Sequence, residues 1–250
     1  HYGFMPLGHV TDTFGFVKEY TELYGGRQYN PRNVLNGRDV EELYDLGIGV
    51  KLCLQNHFIT QEDCEANQAF LARYHRKGNV IICASEVLAR FVKEKFPDYV
   101  VEASIIKEVH DLAAIEECLE LFDLFTLPPA ANDNLDFLAS LPSKNRFILF
   151  ANARCLYTCK PRNCYRNNSV VIKRASNPDF GTLGPRCSPT APNKFEYTLF
   201  DLERFYEMGF RRFKWIIPEI PLHCQASLKP GTYSVKDGSL LRISPGTGLS

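Results

Sequence analysis

Nowhere in this chain do roughly eighteen apolar residues run together, so no segment reads as a membrane-spanning helix. The first residues, HYGFMPLGHV, show no charged stretch followed by an apolar one, and no secretory leader is expected from them. Net charge is also lacking: 29 Lys and Arg balance 29 Asp and Glu, so any nucleic acid or other polyanion would have to be met by a local patch. No glycine-rich fingerprint opens a helix after a strand, since GIGVK precedes its strand, and this removes a dinucleotide-binding fold. Neither G-x-S-x-G nor H-E-x-x-H occurs, and His57, His110 and His223 stand without a readable partner, which disfavours a peptidase. Internal repeats and low-complexity tracts are missing as well. The nine cysteines are an odd number in a long chain, which argues against a secreted disulfide scaffold. A cytoplasmic protein is expected and, with no membrane-spanning run, no membrane partner.

What is present is alternation. The apolar, β-branched runs 48–56 (IGVKLCLQN), 79–85 (NVIICAS), 99–106 (YVVEASII), 124–130 (LFTLPPA), 146–152 (RFILFAN) and 211–218 (RRFKWIIP) read as strands buried on both faces of a parallel sheet. Helical periodicity falls between them at 64–78, 86–96, 111–122, 134–141 and 199–209. HYGFMP offers a further strand, feeding the helix DVEELYDLG. The pattern predicts an α/β fold, a (β/α)8 TIM-like barrel with its first strand absent or truncated. The barrel is expected over 1–218, interrupted at 153–198 by a long cysteine-rich loop with an irregular end. Residues 219–250 are expected to form an irregular C-terminal extension with a hairpin.

The cysteines divide into two sets. Cys53 and Cys83 lie in strand-like runs and Cys64 and Cys118 in helical patterns, where a thiol is simply a small buried hydrophobe. The other five, Cys155, Cys159, Cys164, Cys187 and Cys224, sit in Pro-, Asn- and Gly-rich sequence where no core calls for them. Cys155 and Cys159 follow the strand ending at Asn152, Cys224 follows the strand ending near Pro218, and Cys187 lies in the long loop. If those strands are neighbours, the thiols emerge at one mouth of the barrel and four suffice for zinc or a [4Fe–4S] cluster. Dispersed single ligands suit a cluster better than a zinc ribbon; zinc and free thiols stay open as alternatives. The C-x3-C-x4-C run departs from the C-x3-C-x2-C motif of radical S-adenosylmethionine enzymes and comes too late in the fold for it.

In such a barrel the active site lies at the carboxyl ends of the strands, which here carry Asn56, Ser104 and Asn152. Between Arg154 and Arg174 there are six cations and no acid, with Arg162 suited to bidentate recognition of phosphate or carboxylate and Tyr157 and Tyr165 to stacking. Arg27, in GGRQYN, is a further anion-binding candidate.

Several of these stretches resemble the collagenase-like peptidase family U-32. ILFANARCLYTCKPRNCY is similar to its N-x-x-C-L-x-x-C-P-x-R-x-x-H-Y element, and LFDLERFYEMGFRRFKWI to a later segment ending in F-K. GGRQYNPRNVLNGRDVEELYDLGIGVKLCLQN and VVEASII resemble an early G-x-R turn, helix and strand, and a further strand; together they cover most of 1–218. The resemblance implies a TIM-type barrel whose first strand would lie before His1 and, in well-understood members, a [4Fe–4S] cluster serving hydroxylation of RNA bases or ubiquinone precursors. By position it implies Cys155, Cys159, Cys187 and Cys224 as ligands. Here Cys164 replaces the family's histidine, which makes it an alternative ligand, and CKP replaces CP. The expected function is therefore an iron–sulfur barrel enzyme modifying a nucleic-acid base, nucleotide or small anionic metabolite. A non-catalytic, metal-stabilised RNA-binding or accessory protein with a partner protein is the alternative, and a peptidase a more remote one.

Overall fold

The computed structural model describes residues 7–26, 29, 34–109, 111–159, 162–183, 196–216, 231–236 and 239–243. Strands β1 (Asp12–Gly15), β2 (Gly49–Cys53), β3 (Val80–Cys83), β4 (Val100–Ala103), β5 (Leu124–Thr126) and β6 (Phe147–Phe150) lie side by side in chain order, every neighbouring pair parallel. After β7 (Asn152–Ala153) and β8 (Glu196–Leu199), strand β9 (Arg212–Lys214) pairs parallel with β6 and completes a seven-stranded sheet. Helices α1 (Gly37–Asp45), α2 (Gln61–Ala66), α3 (Gln68–Arg73), α4 (Glu86–Lys95), α5 (Leu112–Glu116) and α6 (Leu135–Ser140) are the crossovers; α7 (Cys155–Thr158), α8 (Asn163–Arg174) and α9 (Leu202–Glu207) lie between β7 and β9. A second sheet runs β7–β8–β10–β11, all antiparallel, with β10 (Gly231–Lys236) and β11 (Ser239–Ile243) forming a C-terminal hairpin.

Two expectations need correction, and a third, the strand HYGFMP, lies outside the described residues. A strand not foreseen, Asp12–Gly15, is the first among the described residues and is hydrogen-bonded to β2. The segment 153–198 is not one irregular loop: it contains the one-turn α7, the twelve-residue α8 and strand β8. The helix expected over 64–78 is two short helices meeting at Asn67, and helical backbone ends at Arg73, ahead of Gly78 with its positive φ. The helix starts follow local chemistry. Asn36 and Thr60 each make a reciprocal capping box with an aspartate three residues on, and Ser85, Asp111 and Asp201 cap α4, α5 and α9.

Ladder register assigns the faces, because directly paired residues share one side of a sheet. One side carries Phe125, Phe147, Leu149, Val50, Leu52, Ile81 and Val101, which form the core beneath the helices. The other carries Asp12, Phe14, Lys51, Ile82, Glu102, Thr126, Ile148 and Lys214. Lys214 Nζ lies 4.5 Å from the Phe14 ring, so the last strand of the sheet reaches the first across the axis. The sheet is therefore curled into a trough, an incomplete TIM-like barrel with its polar face inward.

A close approach fixes the turn over the carboxyl end of β2. A Cβ on Gly25 would overlap the backbone of Gln55 and Asn56, while Gly26 adopts φ +75° against the Gln55 side chain. Gly25→Ala is expected to destabilise the fold by about 3 kcal/mol, because backbone rather than a flexible side chain must move; equilibrium urea unfolding measures this.

Candidate functional site at the barrel mouth

Charged residues occupy the trough where most barrels place Val, Ile and Leu. Lys51 Nζ is 2.7 Å from Glu102 Oε2 and 3.2 Å from an Asp12 oxygen. The Thr126 hydroxyl donates to Glu102 Oε1 at 2.5 Å, and Lys214 Nζ stands 3.8 Å from the same oxygen. Glu102 is 0% and Lys51 7% exposed. Burial by itself would neutralise both. The charges of Lys51 and Lys214 reverse that for Glu102 and hold its carboxyl below the ordinary range, and Glu102 and Asp12 raise Lys51. The cluster is thus a network built around the buried Lys51–Glu102 ion pair and drawn from β1, β2, β4, β5 and β9. Sequence reading passed over it, although the signal was there: Lys51 and Glu102 are lone charges inside the runs VKLCL and VVEAS.

The residues expected at the strand ends are in place but turned inward. Asn56 donates to the Glu22 and Ser169 carbonyls and accepts the Phe58 N–H. Ser104 accepts from Gln55 Nε2 and caps Ile106 N–H. Asn152 pairs with both backbone groups of Ile216, at 2.8 and 2.9 Å. All three are buried and join neighbouring loops. Arg27 lies outside the described residues.

The cysteine-rich insertion crosses the mouth and is tied at both ends. On the β5 side, Tyr157 OH donates to Asp133 at 2.6 Å, and Arg162 reaches Glu108, beyond β4, at 3.5 Å while its Nε donates to the Cys159 carbonyl. Arg162 and Glu108 are two of the three non-glycine residues with positive φ among the described residues, a placement typical of functional loops. On the β2 side, Lys173 binds Asp63 at 2.5 Å and Glu22 at 3.5 Å, and Tyr20 OH donates to the Ile172 carbonyl. Arg166 lies over the Phe58 ring at 4.8 Å. His57 has the partner that sequence reading did not find: its Nδ1 is 2.9 Å from Ser169 Oγ. Ser169 is fully buried and donates its proton to the Tyr165 carbonyl, so the pair fastens α8 to β2 and presents no nucleophile. Desolvation beneath α8, reinforced by Arg166, holds His57 below its usual pKa and hence neutral at pH 7.

Cys155 is exposed and Cys159 and Cys164 half-buried, whereas Cys53, Cys64, Cys83 and Cys118 are buried, as expected. Burial pushes the Cys64 thiol up to about 12 and raises that of Cys83. Cys155 and Cys159 begin and close one helical turn, with the Cys159 N–H on the Cys155 carbonyl at 2.8 Å, so both thiols start from the same side of α7. That pair suits a shared metal or cluster. Cys187 and Cys224 lie outside the described residues. Among the described residues no three His, Cys, Asp or Glu side chains form a metal-binding group, Cys164 included.

A curled parallel sheet with a charged axis and a cross-tied insertion over its carboxyl edge defines a TIM-barrel-like α/β protein. The solved structure of the U32 peptidase Mk0906 has the same fold, with a TM-score of 0.57 and 14% identity over 88% of this chain and 90% of that one. At such identity the likeness is one of fold. No family model and no curated protein matches the sequence. No helix among the described residues is long and apolar enough to cross a membrane.

Proposed function

We propose that the chain is a U-32-like barrel enzyme acting on an anionic substrate at its C-terminal mouth, beside a [4Fe–4S] cluster held by Cys155, Cys159, Cys187 and Cys224. The observation that carries this reading is the insertion itself. It brings the helical Cys155–Cys159 pair and the Arg162 guanidinium over the strand ends, where barrel chemistry is done. When bound, the cluster would supply electron transfer. The chain's own groups have separate duties: Arg162, with Arg27 as a further candidate, attracts the substrate's anionic group, and the Asn56, Ser104 and Asn152 hydrogen bonds keep the mouth rigid. Hydroxylation of a nucleic-acid base or a small anionic metabolite is the reaction class the family resemblance favours, with zinc the alternative occupant of the thiols.

Purification without oxygen followed by iron, sulfide and zinc determination tests the assignment. About four iron and four sulfide per chain, with absorption near roughly 400 nm, is the expected result. A folded protein containing neither iron nor zinc would overturn it.

A further inference from the structure

His57 has an edge that the proposed function leaves unused. It follows β2 at the carboxyl side of the sheet, and its ring is fixed from one side only. Ser169 Oγ receives the His57 backbone N–H at 3.2 Å and gives its single proton to the Tyr165 carbonyl at 3.1 Å. The remaining contact, Nδ1 to Oγ at 2.9 Å, therefore needs the proton on Nδ1. In a neutral ring this leaves Nε2 as a bare acceptor. His57 is an exposed residue, and its Nε2 has no hydrogen-bond partner among the described residues.

The charged groups acting on the ring are Arg166 on α8 and Glu108 beyond β4. Glu108 is engaged by Arg162 at 3.5 Å. Arg166 is exposed, rests over the Phe58 ring at 4.8 Å and makes no ion pair among the described residues. Burial against α8 and then Arg166 keep the imidazole neutral, and Glu108 opposes them more weakly. A guanidinium close to a neutral acceptor selects an uncommon partner. A proton-free anion satisfies Arg166 but meets the Nε2 lone pair, whereas a neutral alcohol satisfies Nε2 and leaves the cation unanswered.

We propose that His57 Nε2 and Arg166 form a subsite at the barrel mouth for an anion that carries its own O–H donor, either a phosphate that retains a proton or a 2-hydroxy acid. The ligand hydroxyl donates to Nε2, and the anionic oxygens accept from the Arg166 guanidinium. Ser169 is a positioning residue, because it sets the tautomer. The subsite rests on the proposed function only in placing the substrate at this mouth, and it does not require the cluster.

Titration of phosphate against sulfate, and of lactate against propionate, into the intact protein tests it, followed by NMR of the imidazole nitrogens. The members of each pair have similar shapes, and only the first carries the O–H donor. At about pH 7 the free protein should show His57 protonated on Nδ1 and bare on Nε2. Phosphate or lactate should bind saturably, about tenfold or more tighter than its donor-free counterpart. Phosphate alone would indicate a phosphorylated ligand and lactate alone a hydroxy acid. His57→Asn keeps a donor for Ser169 while removing Nε2, and should erase the preference; Arg166→Met should weaken both members of the pair. As pH falls through the lowered His57 value, Nε2 gains a proton and the preference should also vanish. A proton on Nε2 in the free protein, no saturable binding, equal binding within each pair, or a preference that survives in His57→Asn overturns the proposal. The wild-type comparison decides it even where a variant does not fold. A preference found in protein that binds no iron or zinc would uphold the subsite and refute the cluster, and the converse would do the reverse.

Discussion

Glu102→Leu is expected to destabilise the protein by about 3–5 kcal/mol in equilibrium denaturation, the usual consequence of stranding a buried partner charge. Lys51 would keep only Asp12, at 3.2 Å, and Lys214 would lose the carboxylate 3.8 Å away. Lys51→Met should show a loss of the same order, because Glu102 would lose its nearest counter-charge in a site with no solvent access. The double variant Lys51→Met/Glu102→Leu should recover most of either loss, since an apolar pair fills the trough without desolvating charge. Simple additivity of the two single losses would sink the network as a coupled unit. The pH profile provides a second check. Glu102 is held below the ordinary carboxylate value of about 4.3, so its contribution is complete above that pH and disappears as pH falls through the lower folded value. Lys51 is raised above about 10.4, so its contribution is complete below that pH and disappears as pH rises through the higher folded value. Between those limits the wild-type stability from this pair should be flat, and the double variant should lack both flanks.

The second large effect concerns the thiols over the mouth. Cys155→Ser and Cys159→Ser should each abolish iron binding and the associated visible absorption, because a hydroxyl is a poor substitute for thiolate toward iron or zinc. Solubility should fall with it if the metal braces the insertion. Cys53→Ala and Cys83→Ala remove thiols buried within the sheet, away from the insertion, and should leave the iron content unchanged. Full metal retention in both serine variants would refute the ligand assignment. The comparison with Cys164→Ser is informative too. Cys164 opens α8 and lies beyond Arg162, separate from the α7 turn, so its loss should spare the metal if Cys187 and Cys224 complete the set.

How much of this was legible in advance differs by element. The runs around Val80–Cys83 and Phe147–Phe150 are continuously apolar, and the structure buries them on both faces, as such composition requires. Asp12–Gly15 escaped notice because DTFG is short, polar at its start and ended by glycine; only pairing with β2 makes it a strand. Helix α8 was hidden for a similar reason. NCYRNNSVVIKR is rich in asparagine and weak in helix propensity, and it is held by Lys173, Ser169 and Tyr20 contacts to distant segments.

By itself the sequence determined the alternation of strand and helix, the burial of four cysteines, and the concentration of the other thiols and the cations after residue 150. Those are local properties: the period of apolar residues, turn chemistry and composition. The tertiary structure alone decided that the sheet curls until Lys214 meets Phe14, and that Asp12, Lys51, Glu102 and Thr126 face the same axis. It also decided that the cysteine-bearing insertion is tied across the strand ends. Each depends on ladder register and on contacts between residues far apart in the chain, as in Lys214 with Phe14 or Ser176 with Glu22, and no local pattern encodes such distances. A lone charge inside an apolar strand marks a place where something must answer it. Which residues do so is settled only when the strands are laid side by side.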